Sequence, residues 1–229
     1  MKNIIITGAN GNMGTAVVKK FLDKGYKVIA VDNADNHLSF AKNNPQFEFK
    51  TVDLSNEEAA AAFVANTISS SKKIDGALLL VGGFAMGNIE KTSGADIDKM
   101  ITLNFKTAYF LARPIFQHMI KNGNGRIVFV GARPALKAGQ GKGLIAYALS
   151  KSLLFKLAEL LNADAAGKDV VCSVIAPSTI DTPQNRSSMP NANPDDWVKP
   201  EKIADVLEFI CGDNSSVLRE PVYKVYNNA

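Results

Sequence analysis

The stretch Lys2-Asn3-Ile4-Ile5-Ile6-Thr7-Gly8-Ala9-Asn10-Gly11-Asn12-Met13-Gly14 decides the fold. Residues 2–6 are a short run rich in β-branched side chains, read as a buried strand, and Thr7-Gly8 stops it. Glycines follow at positions 8, 11 and 14, and residues 12–24 then carry helical spacing. Ala16, Val17, Phe21 and Leu22 fall on the inner face of that helix, and Gly25 suits its C-terminal end. A strand that passes through a glycine turn into a helix brings bare backbone amides and a helix N-terminus to one point. That point favours negative charge and seats a dinucleotide pyrophosphate. Gly8, Asn10, Gly11, Asn12, Met13 and Gly14 are therefore candidate cofactor-binding residues.

The same alternation continues outward. Strand-like runs occupy residues 27–31, 47–52, 75–81, 125–130, 169–175 and 222–226. Helical patterns occupy 57–68, 97–121 with a bend expected at Pro114, 145–163 and 200–211. Residues 131–143 read as a glycine-rich loop and 183–200 as a long loop rich in Pro, Asn, Ser and Asp, expected to close over a ligand. Strands alternating with helices predict an α/β architecture: one doubly wound, Rossmann-type parallel sheet of about seven strands, covered by helices on both faces. The nucleotide turn opens the chain, a strand closes it and no linker intervenes, so residues 1–229 read as one domain. Right-handed crossovers place the strand C-terminal ends along one edge, where ligands bind.

Candidate residues follow those strand ends. Asp32 closes the second strand, where a carboxylate accepts hydrogen bonds from both adenosine ribose hydroxyls and repels a 2′-phosphate. Neither the glycine turn nor the residues just after Asp32 contain Lys or Arg, so NAD(H) is expected over NADP(H). Asp53 and Leu54 follow the third strand, Gly82 the fourth, Ala132 the fifth and Pro177 the sixth.

The second signature is Tyr147-Ala148-Leu149-Ser150-Lys151. Tyrosine and lysine four residues apart share one face of a helix. A nearby ammonium is expected to lower the phenol pKa and so to fit it for proton transfer. A proton donor in the same chain as a nicotinamide-dinucleotide seat is the equipment of a hydride-transfer enzyme.

Composition narrows the alternatives. The net charge of +4 comes from scattered lysines rather than a basic run with interleaved aromatics, which argues against a nucleic-acid partner. The cysteines, Cys172 and Cys211, have no metal-ligand spacing, and Cys172 sits in an apolar run that reads as core. No apolar run is long enough to span a membrane and no leader pattern is present, so a cytoplasmic location is expected. His37 and His118 read as surface residues.

Taken together, these motifs resemble the short-chain dehydrogenase/reductase family nearly end to end. Thr7, Gly8 and Gly14 match the family's glycine turn, although its middle glycine is displaced to position 11 and Asn12 takes the usual place. The resemblance implies that Asp53 meets the adenine amino group and that Asn104 anchors a relay water. It implies that Tyr147 and Lys151 are the catalytic pair, and that Pro177 and Thr182 hold the nicotinamide carboxamide. Two departures stand out. Leu79-Leu80-Val81-Gly82 replaces the family's Asn-Asn-Ala-Gly stretch, and Val130-Gly131-Ala132-Arg133 lacks the family's catalytic serine. Ser150 and Ser152, on the tyrosine helix, are expected to face elsewhere.

Both departures are similar to the dihydropteridine reductase branch of the family. So is Asp181-Thr182-Pro183-Gln184-Asn185-Arg186-Ser187-Ser188-Met189-Pro190 with Trp197 beyond it. That branch implies an NADH-dependent reduction of a flat conjugated substrate, with Phe84, Ala132, Arg186, Met189 and Trp197 lining its slot. A carbonyl or alcohol oxidoreductase working without the serine, and a non-catalytic NAD(H)-binding sensor, are the competing readings. Asn104 fits ordinary family members better than that branch, and retention of Tyr147, Lys151 and Asn104 speaks against a sensor. The helices at 97–121 and 145–163 carry apolar residues on more than one face, including Leu103, Ala108, Phe110, Leu111 and Phe116 on the first. Leu149, Leu153, Leu154, Leu157 and Leu161 do so on the second. A helix apolar most of the way round needs a second partner, so a homodimer or homotetramer through these helices is expected.

Overall fold

A computed structural model describes residues 1–219 and 222–228. Its strands are Asn3–Thr7 (β1), Lys27–Asp32 (β2), Phe47–Thr51 (β3), Gly76–Leu79 (β4), Asn124–Val130 (β5), Asp169–Pro177 (β6) and Val222–Val225 (β7). They form one sheet in the order β3-β2-β1-β4-β5-β6-β7, and every neighbouring pair is parallel. The helices are Asn12–Asp23 (α1), Glu57–Ser71 (α2), Gly94–Ile101 (α3), Thr107–Asn122 (α4), Arg133–Leu136 (α5), Ile145–Asp164 (α6), Pro183–Ser188 (α7) and Pro200–Cys211 (α8).

Parallel strands buried on both faces explain the unbroken apolar runs. Ile4 and Ile6 of β1 join Val17, Phe21, Ile203 and Leu207, so α1 and α8 cover that face. Ile5 points the other way, to Phe63, Leu111, Ile115 and Leu154 under α2, α4 and α6. All three isoleucines are fully buried, each contributing roughly 1.5–3 kcal/mol. On α1 the buried set is Gly14, Val17, Val18, Phe21 and Leu22, so Val18 takes the inward place expected of Ala16. Gly25 ends this helix as expected, with φ +78°.

The long helical stretch differs in detail from its sequence pattern. It starts earlier, at Gly94, because Ser93 and Asp96 form a reciprocal capping box. One π-helical turn, Thr102–Lys106, then separates α3 from α4, and α4 continues through Pro114. The two stretches read as loops also hold structure. Residues 131–143 contain α5 and a 3₁₀ turn, Ala138–Gly141, and residues 183–200 contain α7 and a 3₁₀ turn, Pro194–Asp196. Thr182 starts α7 by accepting a hydrogen bond from the Asn185 amide, and Pro183 supplies a pre-set first helical position. Among the described residues, no helix is long and apolar enough to cross a membrane.

Strand order places the ligand crevice. The chain leaves β1 toward β2 and β3 on one side and returns to β4 on the other, so the connections diverge at the C-terminal ends of β1 and β4. Thr7 pins this point. Its buried Oγ1 accepts hydrogen bonds from the Leu80 and Val81 amides at 2.8 and 3.2 Å, just past β4.

Candidate active site

The glycine turn is tight because each glycine meets backbone. Gly8 has φ +64°, and a Cβ added at Gly14 would lie 2.0 Å from the Gly8 carbonyl oxygen. The Gly11 amide donates back to that same carbonyl at 3.1 Å, closing the turn. Gly11 is also the N-cap of α1, with no side-chain cap and no acidic residue in the first turn. The N-terminus of α1 is thus left for an anion, and side chains that would block its approach are missing. Asn10 and Met13 complete the turn; Asn10 fastens it to the next loop, donating to the Asp35 carbonyl and accepting from the His37 amide.

Asp32 reaches the same place. One carboxylate oxygen accepts from the Asn10 amide at 3.0 Å and the other from the Asn33 amide at 2.8 Å, which orients it beside the turn. Asp53 lies beyond β3, where its Oδ1 accepts from both the amide and hydroxyl of Ser55; these bonds hold its pKa below the usual value. Leu54 is buried beneath it. Pro177 closes β6, and Thr182 heads α7. The cradle, the oriented carboxylate and the crevice fit a nicotinamide dinucleotide.

At the far end of the crevice, α6 brings Tyr147 and Lys151 together. Gly131 permits this, since a Cβ there would lie 2.5 Å from the Phe155 ring of α6. Lys151 is 4% exposed, and its ammonium donates to the Val130 carbonyl at 2.7 Å. Gly82 lies over the same group, because its added Cβ would sit 2.9 Å from Lys151 Nζ and 2.8 Å from Asn104 Oδ1.

Asn104 sits in the π-turn, fully buried. Its Oδ1 accepts from the Gly83 amide at 2.7 Å, and its Nδ2 donates to the Gly83 carbonyl at 3.1 Å and to Ser150 Oγ at 2.9 Å. Both amide hydrogens are committed to protein. The side chain therefore ties the post-β4 backbone to α6, and it is a positioning residue in this geometry. Ser150 corrects the expectation that it faces elsewhere. It is fully buried, receives Asn104 and donates to the Tyr147 carbonyl at 2.8 Å. One helical turn separates it from Tyr147, which was the available signal. Thr7 is the other residue whose role at the crevice its sequence position alone did not state.

The electrostatics also depart from expectation. Burial pushes Tyr147 up to about 12 and Lys151 down to about 8. The lysine does not lower the phenol pKa here, because desolvation penalises both charged forms. A phenol held at that level stays protonated at neutral pH and suits proton donation.

The candidates for a substrate slot are brought together only in part. The Phe84 ring is 61% exposed and meets Tyr147 edge-on, with centroids 5.0 Å apart. Ala132 is buried at the N-cap of α5, so no hydroxyl stands at that strand end. Met189 follows α7 and is partly exposed. Trp197 is 5% exposed and presents almost none of its ring to a ligand. Arg186 instead lines a cavity together with Asn12, at the start of α1, and is paired with Asp181. Of the histidines, His37 is exposed, whereas His118 is half-buried and its Nε2 accepts from the Ile74 amide at 3.2 Å. Cys172 is core, as expected.

Comparison with known proteins fits this arrangement. The family model described as short chain dehydrogenase matches residues 2–193. Dihydropteridine reductase of Dictyostelium discoideum is 30% identical over 209 residues, which is 90% of this chain and 86% of that protein. Acetoacetyl-CoA reductase of Acinetobacter sp. (strain RA3849) is 27% identical, over 80% of this chain and 75% of that protein. Among solved structures, 4-hydroxyisoleucine dehydrogenase complexed with NADH superposes with a TM-score of 0.89. It is 22% identical and covers 99% of this chain and 98% of that one. A match of this length, running across the sheet and through Tyr147 and Lys151, makes the chain a member of the short-chain dehydrogenase family and an NAD(P)-dependent oxidoreductase.

Proposed function

We propose that the protein is an NADH-dependent reductase that delivers a hydride to a small planar unsaturated substrate of the quinonoid dihydropteridine type. The contact that carries the proposal is the exposed Phe84 ring set against Tyr147, an apolar platform beside a protonated phenol. The missing hydroxyl at Ala132 supports it, since the bond reduced in such a ring is a C=N, which leaves no reacting carbonyl oxygen for a serine to hold. The likeness to a dihydropteridine reductase points the same way.

In this reading the glycine turn and α1 hold the cofactor phosphates and Asp32 the adenosine ribose. Asp53 and Leu54 flank the adenine, and Gly82, Pro177 and Thr182 border the nicotinamide. When bound, the cofactor supplies the hydride. The chain's own contribution is the proton. Tyr147 donates it, and its high pKa keeps it loaded. Lys151 spends one of its three N–H groups on Val130 and keeps two to donate, in this reading to a ribose hydroxyl and to the phenol. Asn104 and Ser150 keep the platform and α6 in register.

Cofactor preference follows from Asp32. NADH is expected to bind more tightly than NADPH, and Asp32→Ala is expected to narrow the gap, mainly by weakening NADH. Calorimetric titration of both nucleotides checks this, and tighter NADPH binding by the unsubstituted protein would contradict it.

Substrate class is tested by NADH oxidation against quinonoid pterins, quinones, aldehydes and ketones, with Ala132→Ser alongside. Pterin reduction is expected to be unchanged or reduced in the variant, because the added hydroxyl has no reacting carbonyl to hold and narrows the slot. Ketone reduction that rises in Ala132→Ser, with pterin reduction absent in the parent, would move the assignment to a carbonyl reductase, the reading Asn104 favours.

The same proposal includes a homodimer at least, working in the cytoplasm. Leu111 and Leu154 point into the core, so they do not serve an interface. Leu149, Leu153 and Leu160 of α6 and Tyr109 of α4 are exposed and supply an apolar surface for a second copy. A dimer or tetramer is expected by light scattering at micromolar concentration, and a monomer would count against it.

A further inference from the structure

The glycine turn supplies backbone amides but no positive side chain, while a dinucleotide pyrophosphate carries two negative charges. Two cations from elsewhere in the chain line a cavity that Asn12, at the end of that turn, lines as well. A cavity of about 490 Å³ is lined by Asn12, from the start of α1, together with Arg186 of α7 and Lys199 beside α8. Asp181 and Glu201 also line it. Glu201 lies in the first turn of α8, where it complements that helix's own N-terminus.

Asp181 acts on Arg186. Its side chain is 11% exposed, whereas that of Arg186 is 57% exposed. The pair is bidentate, Arg186 Nε donating to Oδ1 at 2.6 Å and Nη2 to Oδ2 at 2.8 Å. These two bonds use two of the five guanidinium N–H groups and leave Nη1 and the second Nη2 hydrogen to donate. A carboxylate that is largely covered and grips one edge of an exposed guanidinium through two bonds limits its rotamer freedom and directs the other edge. That free edge belongs to a side chain sharing a cavity with the uncapped N-terminus of α1.

We propose that Arg186, with Lys199, binds the pyrophosphate of the dinucleotide from the α7 side, and that Asp181 is the positioning residue that aims it. This rests on the nucleotide reading of the glycine turn. It assigns Arg186 to the cofactor rather than to the substrate slot, and it makes docking of the α7 segment part of cofactor binding. Lys199, exposed and singly charged, contributes the smaller share.

ADP-ribose, which has the pyrophosphate but no nicotinamide, separates this from a substrate role. By calorimetric titration, Arg186→Gln is expected to weaken ADP-ribose and NADH alike by roughly ten- to a hundredfold, the range for a charge-assisted hydrogen bond. Lys199→Gln is expected to weaken both by about two- to fivefold. Arg186→Lys, which keeps the charge and loses the fork, should recover part of the loss and serves if Arg186→Gln does not fold. Asp181→Asn should weaken ADP-ribose less than Arg186→Gln does, and should have no further effect when added to it; independent, additive losses would remove the positioning role. Normal ADP-ribose affinity in Arg186→Gln would overturn the proposal and leave the nucleotide site standing, most directly if the substrate KM rose instead. Failure of the unsubstituted protein to bind ADP-ribose would overturn the nucleotide site and this inference together.

Discussion

Tyr147→Phe is expected to reduce turnover by roughly two to four orders of magnitude, the range for loss of a general acid, with NADH affinity nearly unchanged. The phenol belongs to the ring that α6 holds edge-on to the exposed Phe84 platform. Its backbone is fixed by Ser150, its ring packs on Phe84, and burial keeps the hydroxyl protonated. Phenylalanine preserves the ring contact, so the variant isolates the proton. Lys151→Ala is expected to damage turnover and cofactor affinity together, because the proposed mechanism has the ammonium serve both the ribose and the phenol. Steady-state kinetics paired with NADH titration distinguishes the two variants. A Tyr147→Phe protein with full turnover would remove the proposed acid.

Gly14→Ala is expected to abolish measurable nucleotide binding and to lower the thermal midpoint by several degrees. The added Cβ would lie 2.0 Å from the Gly8 carbonyl oxygen and 2.9 Å from Ala9 Cα. Both neighbours are backbone, so relief requires opening the turn that presents the anion seat. Overpacking of this kind costs about 1–3 kcal/mol in stability, and the displaced amides lose their aim. Gly25→Ala is the control. Gly25, unlike Gly14, has positive φ, at +78°, but nothing lies within 4 Å of its added Cβ. That variant should lose about 1 kcal/mol from backbone strain and bind NADH normally. Equal binding losses in the two variants would refute the steric account.

Much of the frame was legible because its causes are local. Three consecutive isoleucines followed by Thr-Gly can be only a short buried element, and both faces of β1 are indeed covered. Helical spacing set α1, α6 and α8 to within a residue or two at their ends. The acidic residue closing β2 and the glycines after β1 were readable as a pair because a parallel βαβ unit brings those ends together. Short elements were not. α7 and α5 are six and four residues long, too short to show a period, and they depend on caps and packing for their existence.

Local order along the chain sets the strands and most of the helices, the glycine turn after β1, the place of Asp32 and the Tyr147–Lys151 spacing, since each depends on neighbours within one or two turns of chain. Contacts between distant segments set the remainder. The hydrogen bond that ties Asn104 of the π-turn to Ser150, and so to the Tyr147 carbonyl, and the cavity that Arg186 shares with Asn12 join residues far apart in sequence. The pKa directions belong here too. Proximity of an ammonium, readable from spacing, predicts a lowered phenol pKa, whereas removal from water, which depends on everything packed around α6, raises Tyr147 and lowers Lys151. Periodicity records which side of an element is buried, and desolvation depends on how completely the whole fold closes over it.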